Sequence, residues 1–312
     1  MKLFLHIGYH KTGTTYLQEK IFGQLETVNY LGRPWINEQF KSFFTDYKFS
    51  HPLDFDPTAM RLRFESIVEE AVQAHQLNPS HPLLISHESL MTGPEWFGGA
   101  VVERAQRLAE CFPDVKLIIS FRNQADFTAS NYSNYVMHGG KLSFDNFLHH
   151  SFAGQYNLLP RLSFDKVLEF YISKFGQENI HVYLHEELKQ TPQLMLEQLC
   201  SFLEVEEAVT MTKSTVNKGV GRRSTALIRF LNHFFADDFN EQYYHWTTST
   251  ITKNEYLRRR LVKVIRAVNK GRRSSKIMTR SQRTEMLKSF EQSNKSLEKL
   301  LNKDLQSLGY FE

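Results

Sequence analysis

Four short apolar runs, at residues 3–7, 83–86, 116–121 and 180–184, set the frame of the chain. Each is too brief for a helix and too continuously apolar for a strand with one wet face, so all four read as buried strands of a parallel sheet. Between and after them apolar residues recur at helical spacing over 14–25, 59–77, 101–112, 125–137, 164–175 and 194–203. Strands separated by helices of this length imply βαβ crossovers, which places the chain in the α/β class with helices on both faces of the sheet. Beyond residue 205 the strand signals stop. Helical patterns continue at 223–235, 256–268 and 285–308, the last through Leu287, Phe290, Leu297, Leu301 and Leu305. One domain over 1–312 is expected, with an α/β core at 1–205 and a mainly helical extension at 206–312.

Composition narrows this little. With 312 residues, 41% hydrophobic and 23% charged, the chain has the makeup of a folded protein and not of a disordered one. Net charge is +4, but eleven Lys and Arg and no acidic residue fall between Leu257 and Arg283, so the remainder is net −7. Cys111 and Cys200 lie far apart in apolar surroundings, which suits buried thiols better than a disulfide. The apolar run at the N-terminus is interrupted by His6 and is too short for a signal peptide or a membrane span. A cytoplasmic protein is expected.

The most informative stretch follows the first strand: Gly8-Tyr9-His10-Lys11-Thr12-Gly13-Thr14-Thr15. A glycine-bounded loop that opens a helix presents backbone N–H groups to an anion. Its pattern, G-x-x-x-x-G-T-T, has the spacing of a nucleotide-binding P-loop with one change: the lysine expected after the second glycine is Thr14, and a lysine stands at Lys11 instead. A nucleoside triphosphatase also wants an acidic magnesium ligand at a strand end. The later strands run into Ser86-His87-Glu88 and Phe121-Arg122-Asn123, where Glu88 has no acidic companion. The loop is suited to a phosphate-like group without a strong metal requirement.

His-Lys-Thr-Gly-Thr-Thr after an N-terminal strand resembles the 5′-phosphosulfate loop of sulfotransferases that use 3′-phosphoadenosine 5′-phosphosulfate (PAPS). The resemblance implies that Lys11, Thr12, Gly13, Thr14 and Thr15 cradle the phosphosulfate, that His10 is a neighbour of the sulfuryl group, and that Lys11 steadies charge on the departing phosphate. Arg122 at a strand end and Ser130 eight residues later are similar to the family's 3′-phosphate site. Lys218-Gly219-Val220-Gly221-Arg222-Arg223 looks like the family's Lys-Gly-x-x-Gly element, one residue shorter, which points to Lys218 and Arg222 as further phosphate contacts. His185, in Tyr183-Leu184-His185-Glu186, is a candidate neighbour of adenine or a solvated turn residue. The helix around 290–297 is similar to the closing helix of bacterial members, whereas 235–285 matches nothing in the family.

Transfer to a hydroxyl needs a base that takes the proton as oxygen attacks sulfur. His87 and Glu88 stand at the carboxyl end of the second apolar run, where ligand-binding loops of parallel sheets gather. Neighbours on extended backbone face opposite ways, so one of the two faces the reaction. An imidazole near its ordinary pKa of ~6.5 favours His87. No His-Glu-x-x-His or paired-cysteine spacing supports a metal, and none is expected.

The expected acceptor is a hydroxyl of a carbohydrate or glycolipid. Tyr132, Tyr135, Phe144, Phe147, Phe152 and Tyr156 either border a sugar cleft or pack a core. The 257–283 tract pairs an apolar stripe (Leu257, Leu261, Val264, Ile265, Val268) with cations. Three readings stay open for it: an anionic membrane surface at the inner face, an anionic glycan, or solvent. No nucleic-acid motif accompanies it. The rival readings of the whole are a P-loop nucleotide kinase and a non-catalytic nucleotide- or membrane-binding protein.

Overall fold

The structure is a computed structural model and describes residues 1–32, 38–91, 101–152, 159–206, 209, 221–234, 255–268 and 277–312. Along the chain come β1 (Leu3–His6), α1 (Thr14–Lys20), β2 (Asn29–Tyr30), α2 (Glu38–Phe49), α3 (Pro57–His75), β3 (Leu83–Ser86), α4 (Val101–Cys111), β4 (Lys116–Phe121), α5 (Gln124–Met137), α6 (Phe144–Phe152) and α7 (Leu159–Leu162). There follow α8 (Phe164–Phe175), β5 (Ile180–Leu184), α9 (Glu187–Gln190), α10 (Pro192–Phe202), α11 (Arg222–Asn232), α12 (Glu255–Val268), α13 (Arg280–Ser289) and α14 (Glu291–Leu301).

The described strands form one parallel sheet in the order β2-β3-β1-β4-β5. The α/β class expected from the alternation is the class observed, and the four apolar runs are four of its strands. The chain builds outward from β1 first toward β2 and β3 and then toward β4 and β5. Loops after β1 and β4 therefore leave in opposite directions and open a crevice at their carboxyl ends.

Contacts divide the chain into two compact units, Met1–Asn123 with Pro160–Val216 and Glu291–Phe311, and Gln124–Leu159 with Asn217–Phe290. This partition differs from the boundary near residue 205 suggested by where strand signals end. In the first unit, Phe4, Leu84, Ile118 and Tyr183 on one sheet face pack with Leu17, Ile21 and Phe22 at α1 and with Met195, Leu196 and Leu199 of α10. The α2 helix brings Phe40, Phe43, Phe44 and Tyr47 to the core at i, i+3, i+4, i+7 spacing. Arg107 of α4 fastens that helix by donating to Tyr47 O and Ser50 O, each at 2.6 Å. Asp56 caps α3 by accepting from the backbone N–H of Thr58 and Ala59 at 2.9 and 3.0 Å. The second unit sets α11 and α13 against α5, with α12 on α11.

The helix expected over 285–308 is two helices. Thr279 starts α13 with a reciprocal capping box to Gln282, Phe290 ends it, and α14 begins at once. Cys111 and Cys200 are buried and form no disulfide, and burial pushes the Cys111 thiol up to about 12. Among the described residues no helix is long and apolar enough to cross a membrane.

Candidate functional site

The loop after β1 is held down from below. Tyr9 N–H donates to Ser120 O at 3.2 Å, so the loop begins as a continuation of the β1–β4 ladder. Gly8 has φ +124, and a Cβ there would lie 2.4 Å from Ser120 Oγ and 2.5 Å from Ser120 N. Only glycine lets the chain pass that close. Gly13, at φ +98, caps α1, and its Cβ would lie 2.4 Å from Leu188 Cδ1 and 3.2 Å from His185 Nδ1. Between the glycines Lys11 adopts the left-handed φ of 67 and is exposed. For a residue with a side chain that conformation costs of order 1 kcal/mol, and Gln76, Glu204 and Asn302 adopt it too.

The loop's residues divide by direction. Thr12 is fully buried; its hydroxyl donates to Tyr9 O at 2.5 Å and lies 2.6 Å from Ser120 Oγ. The Thr12 side chain is therefore a peg beneath the loop, and what it can offer an anion is backbone. Thr14 is also buried, whereas Thr15 and His10 are half-buried. No side chain caps the N-terminus of α1, and its first turn has no acidic residue. Across the crevice Arg122, half-buried at the end of β4, donates from Nη1 to Lys11 O at 2.9 Å. Two cations from separate segments thus border one loop, and the residues present fit an anionic group there.

Under the loop runs a row of polar residues, one from each of four neighbouring strands: Ser86, His6, Ser120 and Tyr183, all fully buried. His6 and Ser86 are register partners, with Nδ1 2.7 Å from Oγ. His6 Nε2 lies 2.9 Å from Tyr183 Oη, which also reaches the side chains of Ser120 and Thr12. At the other end Gln18 of α1 donates from Nε2 to Ser86 Oγ at 2.8 Å and to Glu88 Oε2 at 3.2 Å. Ser86 accepts from Gln18, and each ring nitrogen of His6 has a hydroxyl partner in either neutral tautomer. Burial holds the His6 pKa at about 3, which agrees with a neutral ring. The connected path runs Glu88, Gln18, Ser86, His6, Tyr183, then Ser120 and Thr12.

The two base candidates part because His87 ends the extended backbone and Glu88 opens a 3-10 turn over Glu88–Leu90. His87, 8% exposed, turns its ring edge to Phe44 of α2 at a centroid distance of 5.1 Å, while half-buried Glu88 meets Gln18 on the α1 side. His185 stands against Gly13. Arg122 belongs to the first unit, whereas Ser130, half-buried on α5, and Arg222, exposed at the start of α11, belong to the second. Lys218 lies outside the described residues. Tyr132, Tyr135 and Phe147 are buried, and Tyr132 meets Phe144 and Phe147 at 5.0 and 5.3 Å, so these rings pack a core. Tyr156 lies outside the described residues.

His6, Gln18, Ser120 and Tyr183 had no place among the sequence candidates. Polar residues near the carboxyl ends of four apolar runs were the available signal.

A family model described as sulfotransferase domain matches residues 2–263. Among solved structures, a sulfotransferase from Alicyclobacillus acidocaldarius is 17% identical, over 99% of this chain and 98% of that one, with a TM-score of 0.56. Mouse sulfotransferase SULT7A1 complexed with PAP is 14% identical, over 100% of this chain and 89% of that one, with a TM-score of 0.39. A sulfotransferase domain from the curacin biosynthetic pathway is 18% identical, over 66% and 74% of the two chains, with a TM-score of 0.36. No curated protein matches the chain.

Proposed function

The chain belongs to the sulfotransferase family, and from that premise we propose that it moves the sulfuryl group of PAPS to a hydroxyl of a carbohydrate or glycolipid. Bound PAPS supplies an activated sulfuryl group whose departure leaves a phosphate. The observation that carries the reading is the Arg122 to Lys11 O hydrogen bond at 2.9 Å, which brings the strand-end cation to the loop that carries the lysine. The loop's backbone and Lys11 hold the 5′ side of the donor, and Arg122 adds positive charge. Preorganised cations of this kind stabilise charge on a leaving phosphate without reorganising during the reaction. Arg122 and Ser130 remain the proposed contacts of the 3′-phosphate, Lys218 and Arg222 further proposed phosphate contacts, and His10 a neighbour of the sulfuryl group.

For the base we now favour Glu88 over His87. Gln18 holds the Glu88 carboxylate on the α1 side, where the loop also leads, whereas the His87 ring packs on Phe44. Glu88 takes the hydroxyl proton as the acceptor oxygen attacks, and the Gln18 amide fixes the carboxylate's direction. The carbohydrate or glycolipid acceptor rests on the resemblance of the 290–297 helix to the closing helix of bacterial family members.

Calorimetric titration with PAP, ADP and 5′-AMP tests the donor assignment. Tighter binding of PAP than of both others is expected. A preference for ADP would move the chain toward nucleotide phosphotransfer, and no binding of any of the three would leave no nucleotide role.

A further inference from the structure

Helix α11 is turned inside out relative to an ordinary surface helix. Its inward face is Ser224, Thr225, Ile228 and Asn232, all buried, and Asn232 Nδ2 donates to Val136 O at 2.8 Å and Gly140 O at 2.9 Å. Its outward face carries Leu227 and Phe230, followed by Phe234, which are 46, 59 and 52% exposed. Positions 227, 230 and 234 fall at i, i+3, i+7, one stripe along the helix, and the Phe230 and Phe234 rings meet edge-on at 5.2 Å. A helix that anchors itself through an asparagine and small hydroxyl residues while leaving two phenylalanines and a leucine in water has its apolar stripe to spare. Contiguous exposed apolar surface of that kind marks an interaction site.

The stripe is framed by cations. Arg223 is exposed, Arg229 is half-buried, and residues 221–234 include no Asp or Glu. The α12 helix packs against α11 and adds exposed Arg259, Arg260 and Lys263 beside Val264, itself 58% exposed. The next acidic residues in the chain, Asp237 and Asp238, lie outside the described residues.

We propose that the α11–α12 face docks on an anionic membrane surface. Leu227, Phe230 and Phe234 enter the boundary between headgroups and acyl chains, and the flanking Arg and Lys meet lipid phosphates. Charge decides among occupants. A second copy meeting this face across a two-fold axis brings the eight Lys and Arg of α11 and α12 against themselves, with Glu255 the one acidic residue of the two helices. A neutral apolar partner offers the cations of this face no opposite charge. An anionic bilayer satisfies both halves of the surface. The inference draws on the second unit alone and stands independently of the donor assignment.

Sedimentation of the full chain with vesicles of phosphatidylcholine, with and without phosphatidylglycerol, tests it. Binding is expected only with phosphatidylglycerol and weaker at high salt. Leu227→Ser combined with Phe230→Ser removes two side chains that insert, and at least about a tenfold loss of vesicle affinity is expected. Both residues point to solvent, so the circular-dichroism melt stays as in the parent. As a second variant, Arg259→Gln with Lys263→Gln weakens binding and flattens its salt dependence while leaving the stripe intact. Absence of binding to anionic vesicles, equal binding to neutral ones, or unchanged binding by both variants overturns the proposal. So does a dimer in sedimentation equilibrium that the Leu227/Phe230 variant dissolves, since it assigns the face to a second copy.

Discussion

His6 Nε2 stands 2.9 Å from the Tyr183 hydroxyl, so an imidazole on β1 is tied to a phenol on β5 across the intervening strand β4. The bond matters because the same hydroxyl reaches Ser120 and Thr12, the peg beneath the loop after β1. Buried polar networks of this kind are stabilising when every member is satisfied and costly when one is removed.

Tyr183→Phe deletes the shared hydroxyl and leaves buried groups of His6 and Ser120 short of a partner. A stability loss of about 1–3 kcal/mol is expected in urea unfolding, together with weaker PAP binding. Thr12→Val acts at the far end of the same contact. If the network positions the loop, the double variant binds PAP little worse than the weaker single one; additive losses would speak against coupling.

Acid weakens the fold through His6. Its pKa lies at about 3 in the folded protein against 6.5 when exposed, because burial penalises the charged ring. Below pH 6.5 the unfolded chain takes up the proton first, so stability falls as pH drops and keeps falling until about pH 3, where the folded form protonates too. The slope from this one group is about 1.4 kcal/mol per pH unit. His181, lowered to about 4 mainly by burial and then by Lys303, acts in the same direction. His6→Asn should flatten the profile between pH 6 and 4 in roughly that proportion. A slope equal to that of the parent would remove His6 from the account.

Glu88→Gln keeps the shape and the Gln18 contact but cannot accept a proton. Turnover should fall by about 100- to 10,000-fold with PAP affinity nearly unchanged. His87→Leu, by contrast, exchanges one packed side chain for another against Phe44 and should show mainly in the melting temperature. The reverse pattern returns the role of base to the imidazole.

Gly13→Ala forces a Cβ to within 2.4 Å of Leu188 Cδ1 at a φ of +98 that alanine resists. Loss of PAP binding is expected, measured by calorimetry. Leu188→Ala added to it relieves the clash and not the dihedral, so recovery should be partial. Gly8→Ala meets the backbone of Ser120 instead, which no side-chain change relieves, and should reduce the yield of folded protein.

Much of the architecture was legible because it is local. Three of the four apolar runs coincide with β3, β4 and β5 to the residue, and α8 matches its apolar period. The two-residue β2 was missed, since Asn29-Tyr30 has no pattern of its own and pairs only because β3 lies beside it. The α2 helix was missed although Phe40, Phe43, Phe44 and Tyr47 carry a full helical period. At the site, Lys11 and Arg122 were legible from their places after strands. The His6 path was not, because its members lie 80 and 177 positions from His6 and meet only through sheet register.

The first unit is sealed by its last segment. Tyr310, fully buried, donates to Glu186 at 3.2 Å, Asn294 donates to Tyr310 O at 2.7 Å, and Asn123 reaches Gly309 O. On the ribosome, therefore, β5 emerges long before the residues that cover its end of the sheet. At ordinary elongation rates the nascent sheet waits roughly 5–20 s for them. During that interval Glu186 and the β4 terminus are open to water and to chaperones. A stalled or prematurely ended message short of residue 291 yields a chain that has made the loop after β1 and cannot close the sheet that carries it.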